Sequence, residues 1–127
     1  MRLLALAAIT LLTGCHSAFI EATVHNATGQ TLSPVELDYP SASFGIPSLG
    51  PNQDFHYRFK TQGSGDTKLI YTDTAHQEHT VIGPRLKEGD EGSLTIVINP
   101  TGVKWFQVPP HGYPNAPAVT LGTPKAP

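Results

Sequence analysis

Histidines and carboxylates set the limits of what chemistry this chain can do. His76-x-x-His79 is the first place to look for a metal. On a helix that spacing would put both rings on one face. Here it runs from a turn into a strand, where residues three apart point to opposite faces. A third ligand would have to come from Glu78, Asp73 or His56, because zinc sites need three or four such groups. The adopted reading is of solvated loop histidines, with His56, His76 and His79 kept as weak metal candidates and no cofactor assigned. A hydrolytic centre is harder to build. A serine nucleophile needs a base in reach and a third group to orient it. Gly63-Ser64-Gly65 is too short for a nucleophile elbow and fits a turn. Asp73 could orient His76. The carboxylate pairs Glu36/Asp38 and Asp90/Glu91 could resemble those of a glycosidase, but one lies on a strand's polar face and the other in a charged turn. No catalytic residue is assigned, and the chain is read as non-enzymatic.

One constellation has more specific chemistry. Met1-Arg2 is followed by an apolar run from Leu3 to Leu12 and then Leu12-Thr13-Gly14-Cys15, which holds the only cysteine. The run is too short to span a bilayer, which takes about 20 apolar residues, and it matches a secretory h-region. The four residues ending in Cys15 resemble the lipobox of bacterial lipoproteins. The resemblance covers residues 1–15. It implies cleavage between Gly14 and Cys15, a diacylglyceryl group on the Cys15 thiol, and further acylation of the freed amine by a fatty acid such as palmitate. Two or three chains anchor firmly where one holds only reversibly. His16, rather than Asp, follows the cysteine, which in enteric-type lipoproteins leans towards the outer membrane.

Composition narrows the remaining classes. The chain of 127 residues carries 8 Lys and Arg against 10 Asp and Glu, and loss of Arg2 with the leader makes it slightly more acidic. That balance leaves no electrostatic footprint for nucleic acid. No basic block suggests binding to anionic lipid. With Cys15 lipidated, no disulfide is possible, and the fold must rest on its hydrophobic core.

The elements that must position these groups are strands. Ile20, Ala22 and Val24 alternate with Glu21, Thr23 and His25. Val35, Leu37 and Tyr39 alternate with Glu36 and Asp38, after Pro34. A short strand fits around Phe44. Phe55, Tyr57 and Phe59 alternate with His56, Arg58 and Lys60 in the cleanest pattern of the chain. Leu69-Ile70-Tyr71 and His79-Thr80-Val81-Ile82 flank a hairpin loop at 73–76, and Gly83-Pro84 should break the second of them. Leu94, Ile96 and Ile98 form another strand, and Val103 with Trp105 the last. The aromatic residues could line a ligand face, but at period two on strands expected to be central they are read as core. Arg58 and Lys60 form a cationic strip read as solvated. Asn26-Ala27-Thr28 matches a glycosylation sequon and is read as a turn.

Seven or eight short strands with turns at this spacing predict an all-β, antiparallel β-sandwich. In strand count it resembles immunoglobulin-like and fibronectin-type-III-like domains, without the Cys…Trp…Cys arrangement of the former. The likeness is architectural and implies no function. The run as a whole is also similar to small bacterial envelope lipoproteins. The expected organisation is a signal peptide at 1–14, a lipidated tether at 15–19, the sandwich at 20–108, and a disordered tail at 109–127 rich in proline. The expected protein is a lipid-anchored structural or interaction module of the bacterial envelope. It would be attached to the membrane through Cys15, in contact with an envelope protein partner, and would bind no nucleic acid. The rival reading is a metal- or small-molecule-binding periplasmic lipoprotein that uses the surface histidines.

Overall fold

The computed structural model describes residues 17–109 and 119–121; the signal run and the lipobox lie outside them. The described residues form nine strands and no helix: β1 (Ile20–Asn26), β2 (Val35–Tyr39), β3 (Ala42–Ile46), β4 (Asp54–Phe59), β5 (Gly65–Thr72), β6 (Glu78–Leu86), β7 (Gly92–Asn99), β8 (Gly102–Val108) and β9 (Val119–Leu121). One sheet has the order β4-β1-β7-β8-β9, the other β3-β2-β5-β6. The two pack face to face as a β-sandwich. All pairings are antiparallel except β1 with β7, which run parallel. A parallel pair needs a long crossover, and the whole second sheet lies between these two strands in the chain.

Period-two alternation decides which side chains meet between the sheets. Ile20, Ala22 and Val24 of β1, Leu94, Ile96 and Ile98 of β7, and Val35, Leu37 and Leu69 of the second sheet are all buried. Trp105 of β8 is fully buried among them. The opposite sheet makes room for its ring at Gly83. A Cβ there would come within 2.4 Å of Thr67 Oγ1 and 2.5 Å of the indole. Glycine is therefore required by close approach and not by a turn.

Three expectations need correction. Gly83-Pro84 does not break its strand, because β6 continues to Leu86. It is an edge strand, where a missing N–H costs no ladder bond, and an irregularity between Asp66 and Lys68 accommodates it. There Thr67 Oγ1 donates to the Pro84 carbonyl at 2.9 Å. The strand with the cleanest alternation, β4, is an edge strand as well. Only its Phe59 is buried, and Tyr57 is 38% exposed. Its aromatic residues close the seam against the other sheet instead of filling the centre. Phe44 lies 4.3 Å from Tyr57 and Tyr39 stacks on Phe59 at 3.9 Å, centroid to centroid. Thirdly, of the proline-rich tail, Val119–Leu121 pair with β8 as an added edge strand; most of the rest lies outside the described residues.

Candidate functional site

The sandwich has two poles. The chain enters at one, beside the start of β1, the end of β4 and the start of β7. At the other pole the β1–β2 connection, the β5–β6 hairpin loop and the β7–β8 turn come together. A cleft of about 240 Å³ opens there, lined by Thr28, Gln30, Leu32, Tyr71, Asp73, His79, Asn99 and Pro100.

Its acidic wall follows from hairpin register. With Thr72 opposite Glu78, Tyr71 faces His79 across β5 and β6, and their rings stack at 4.7 Å with an interplanar angle of 13°. Asp73, the first loop residue, folds its carboxylate back. Oδ1 accepts the backbone N–H of Ala75 at 2.9 Å and of Gln77 at 3.0 Å, as aspartate does in Asx-turns. Oδ2 lies 2.8 Å from His79 Nε2. The bond to His79 comes first among the causes that hold the Asp73 carboxyl below the usual carboxylate range, followed by the two backbone donors. A carboxylate can only accept, so His79 Nε2 carries the hydrogen, and in the neutral ring Nδ1 remains an acceptor. Burial, then the charge of Asp73, pushes the Tyr71 phenol up. His76 takes the left-handed conformation at φ 60° that closes the loop.

The opposite wall is held by Asn26. This residue is wholly buried, and its Nδ2 donates to the carbonyls of Gln30, Leu49 and Gly50 at 2.6, 2.9 and 3.1 Å. Its Oδ1 accepts from Thr28 N at 3.0 Å and Thr28 Oγ1 at 2.7 Å. The side chain of the sequon is thus an internal tie, and its nitrogen is not presented to solvent in the folded protein. Thr74 Oγ1 donates to Gln30 Oε1 at 2.7 Å, which links the two walls across the pole.

The sequence-predicted residues scatter. His79 belongs to the cleft, and Asp73 pairs with it instead of with His76. His56 is on β4, where its Nδ1 lies 3.0 Å from Thr23 Oγ1. His56, His76 and His79 therefore share no metal site. Among the described residues no group of three His, Cys, Asp or Glu is arranged to hold a metal ion. Glu36 and Asp38 share the flat outer face of β2, with Lys68 Nζ 3.3 Å from Asp38. Hydrogen bonding and repulsion from Asp38 raise the Glu36 carboxyl. Asp90 Oδ2 accepts the Lys87 N–H at 2.8 Å, and Ser64 Oγ that of Glu88 at 3.1 Å; both serve turns at the entry pole. The cationic strip is partly neutralised, since Arg58 lies 3.1 Å from Glu21 and over the Phe19 ring at 3.8 Å. Thr28, Gln30, Asn99 and Pro100 were not anticipated. Counting outward from the hairpin loop would have paired Tyr71 with His79, but nothing local brings the other two loops beside them.

No family model matches the chain, and no curated protein matches it. Among solved structures it is similar to the NMR structure of a protein from Eubacterium rectale, with a TM-score of 0.52 and 11% identity over 68% of this chain and 81% of that one. At that identity the likeness concerns the fold alone.

Proposed function

We propose that this chain is a lipid-anchored, non-enzymatic binding module of a bacterial envelope, held by acyl chains on Cys15 and presenting its far pole to a ligand or partner. The observation that carries the reading is the opposition of the two poles. Ser17, the first described residue, is two positions from Cys15, a reach of about 7 Å at full extension. The seven residues of β1 then run about 23 Å from the entry pole to Asn26, which holds the cleft's wall. A short tether at one end and a cleft at the other suit a protein that stands on a membrane and contacts something beyond it. His16 after the lipidated cysteine favours the outer membrane. The cleft's chemistry fits binding better than turnover. Asp73 orients His79 and is itself tied to its own loop by two backbone donors, an arrangement that suits a fixed binding surface. Of the rival reading, the small-molecule half has the cleft in its favour.

The test is to express the full chain in a bacterial host, fractionate the cells and weigh the N-terminal peptide. Cys15 should be the first residue and carry a diacylglyceryl group, and Cys15→Ser should move the protein out of the membrane fraction. An unmodified Cys15, or cleavage elsewhere, overturns the anchor.

A further inference from the structure

We propose that the far-pole cleft binds one uncharged, hydroxyl-rich ring, a single sugar unit of a glycan. The inference deepens the binding-module reading above and rests on it only for the cleft's biological use.

Size comes first. At about 240 Å³ the cleft falls below the roughly 300 Å³ at which pockets for drug-sized ligands begin, so it suits one ring. Charge comes next. The loops that form the pole, residues 27–34, 73–77 and 99–101, contain no lysine or arginine. A phosphate or carboxylate ligand would meet the Asp73 carboxylate with no cation to offset it. A cationic ligand is not demanded either, because three donors already satisfy Asp73.

What remains is a set of neutral or acceptor groups around an apolar floor. Leu32 and Tyr71 line the floor of the cleft. Both are more than nine-tenths buried and the Tyr71 ring is stacked on His79, so the apolar contact on offer is small and the polar groups carry the binding. Around that floor stand the His79 ring, whose Nδ1 is an acceptor when neutral, and the amide of Asn99, whose Nδ2 already donates to the Val97 carbonyl at 3.4 Å and whose Oδ1 can accept. Gln30 and Asp73 complete the polar side. Sugar hydroxyls also donate and accept, so they can satisfy mixed partners that an ion cannot. The walls are set before a ligand arrives. Asp73 is tied to its own loop, Gln30 to Thr74, and the Thr28–Gln30 segment to buried Asn26. Groups already in place lower the ordering cost of binding.

The experiment is an amide-shift NMR titration of the detergent-solubilised full protein with glucose, galactose, mannose and N-acetylglucosamine in turn. Methylammonium and inorganic phosphate are the controls. The expected result is saturable shifts with at least one sugar, confined to the loops of the far pole, and none with either ion. Asn99→Ala, at a partly exposed rim position, should weaken that sugar by about tenfold, the effect of one lost hydrogen bond. His25→Ala, on a flat face, should leave it unchanged. Absence of saturation with all four sugars up to about 50 mM, far above a Kd of about 1 mM, overturns the proposal. So does saturation by methylammonium or phosphate, or shifts centred on another surface. The titration needs no membrane, so its outcome is independent of whether Cys15 is lipidated.

Discussion

His25–Asp54 and His79–Asp73 are built from the same two residue types, each bridging neighbouring segments of one sheet, and the far-pole cleft lies beside the second. His25 meets Asp54 directly across the β1–β4 ladder. It is one of three pairs on that outer face, with Thr23–His56 and Glu21–Arg58. Their side chains stand on a flat, solvated surface, where an ion pair contributes about 0–1 kcal/mol. Asp73 differs because a hairpin loop wraps around it and supplies two backbone donors. It also differs because two more loops from both sheets close over the same pole. A His–Asp pair becomes a candidate site through concavity and fixed surroundings, not through its composition.

Four experiments test this contrast. The largest effect should come from Trp105→Ala, which removes the ring packed against Gly83. A buried tryptophan truncated to alanine costs about 3–5 kcal/mol, a fall in Tm of roughly 15 °C or more in a domain of this size. Calorimetry should find it, and both His–Asp pairs should be lost together. A shift of a few degrees would mean that the sheets do not depend on this contact.

Asn26→Ala should come next and affect the poles unequally. Orphaned partners of a buried hydrogen bond cost about 1–3 kcal/mol. Hydrogen exchange should speed up in residues 27–34 and 49–50, while the β1–β4 face keeps its protection. Uniform loss of protection would contradict a local tie.

The third is a pH profile. The Asp73 carboxyl is lowered in the fold. Its stabilisation is therefore present above the ordinary carboxylate value and lost as pH falls through the lowered one. Glu36 is raised and has the opposite sign: its contribution is present at acidic pH and lost as pH rises through the raised value. Denaturant melts between about pH 5 and pH 2 should show Asp73→Asn losing less stability on acidification than wild type. Glu36→Gln should lose more. Parallel curves for all three would remove the special status of Asp73.

The smallest effect should come from His25→Gln. A substitution at this partly exposed position should stay within about 0.5 kcal/mol, and a larger measured loss would mean that the pair is more than a surface contact.

Much of the fold was legible because period two is a local property. The alternation at Ile20–Val24, Val35–Tyr39 and Leu94–Ile98 named the inward side chains of β1, β2 and β7 correctly. The same signal misplaced β4, since alternation reports which face is apolar and not whether another strand lies alongside. Gly83-Pro84 misled for a related reason: a proline breaks a ladder only where its N–H is needed, and the edge position of β6 is set by the other strands. The cleft was legible in part. Asp73 and His79 were visible as titratable neighbours, but the choice of His79 over His76 depended on hairpin register.

By itself the sequence determined the strand alternation, the turn positions and the all-β class, because each follows from side chains a few residues apart. It is also the only source for the proposal that Cys15 is the anchor. Tertiary structure decided which strands became edges, how Asn26 turned inward, why Gly83 must be glycine, and which three loops share a pole. Those depend on atoms that are distant in the chain and adjacent only after the two sheets close on each other.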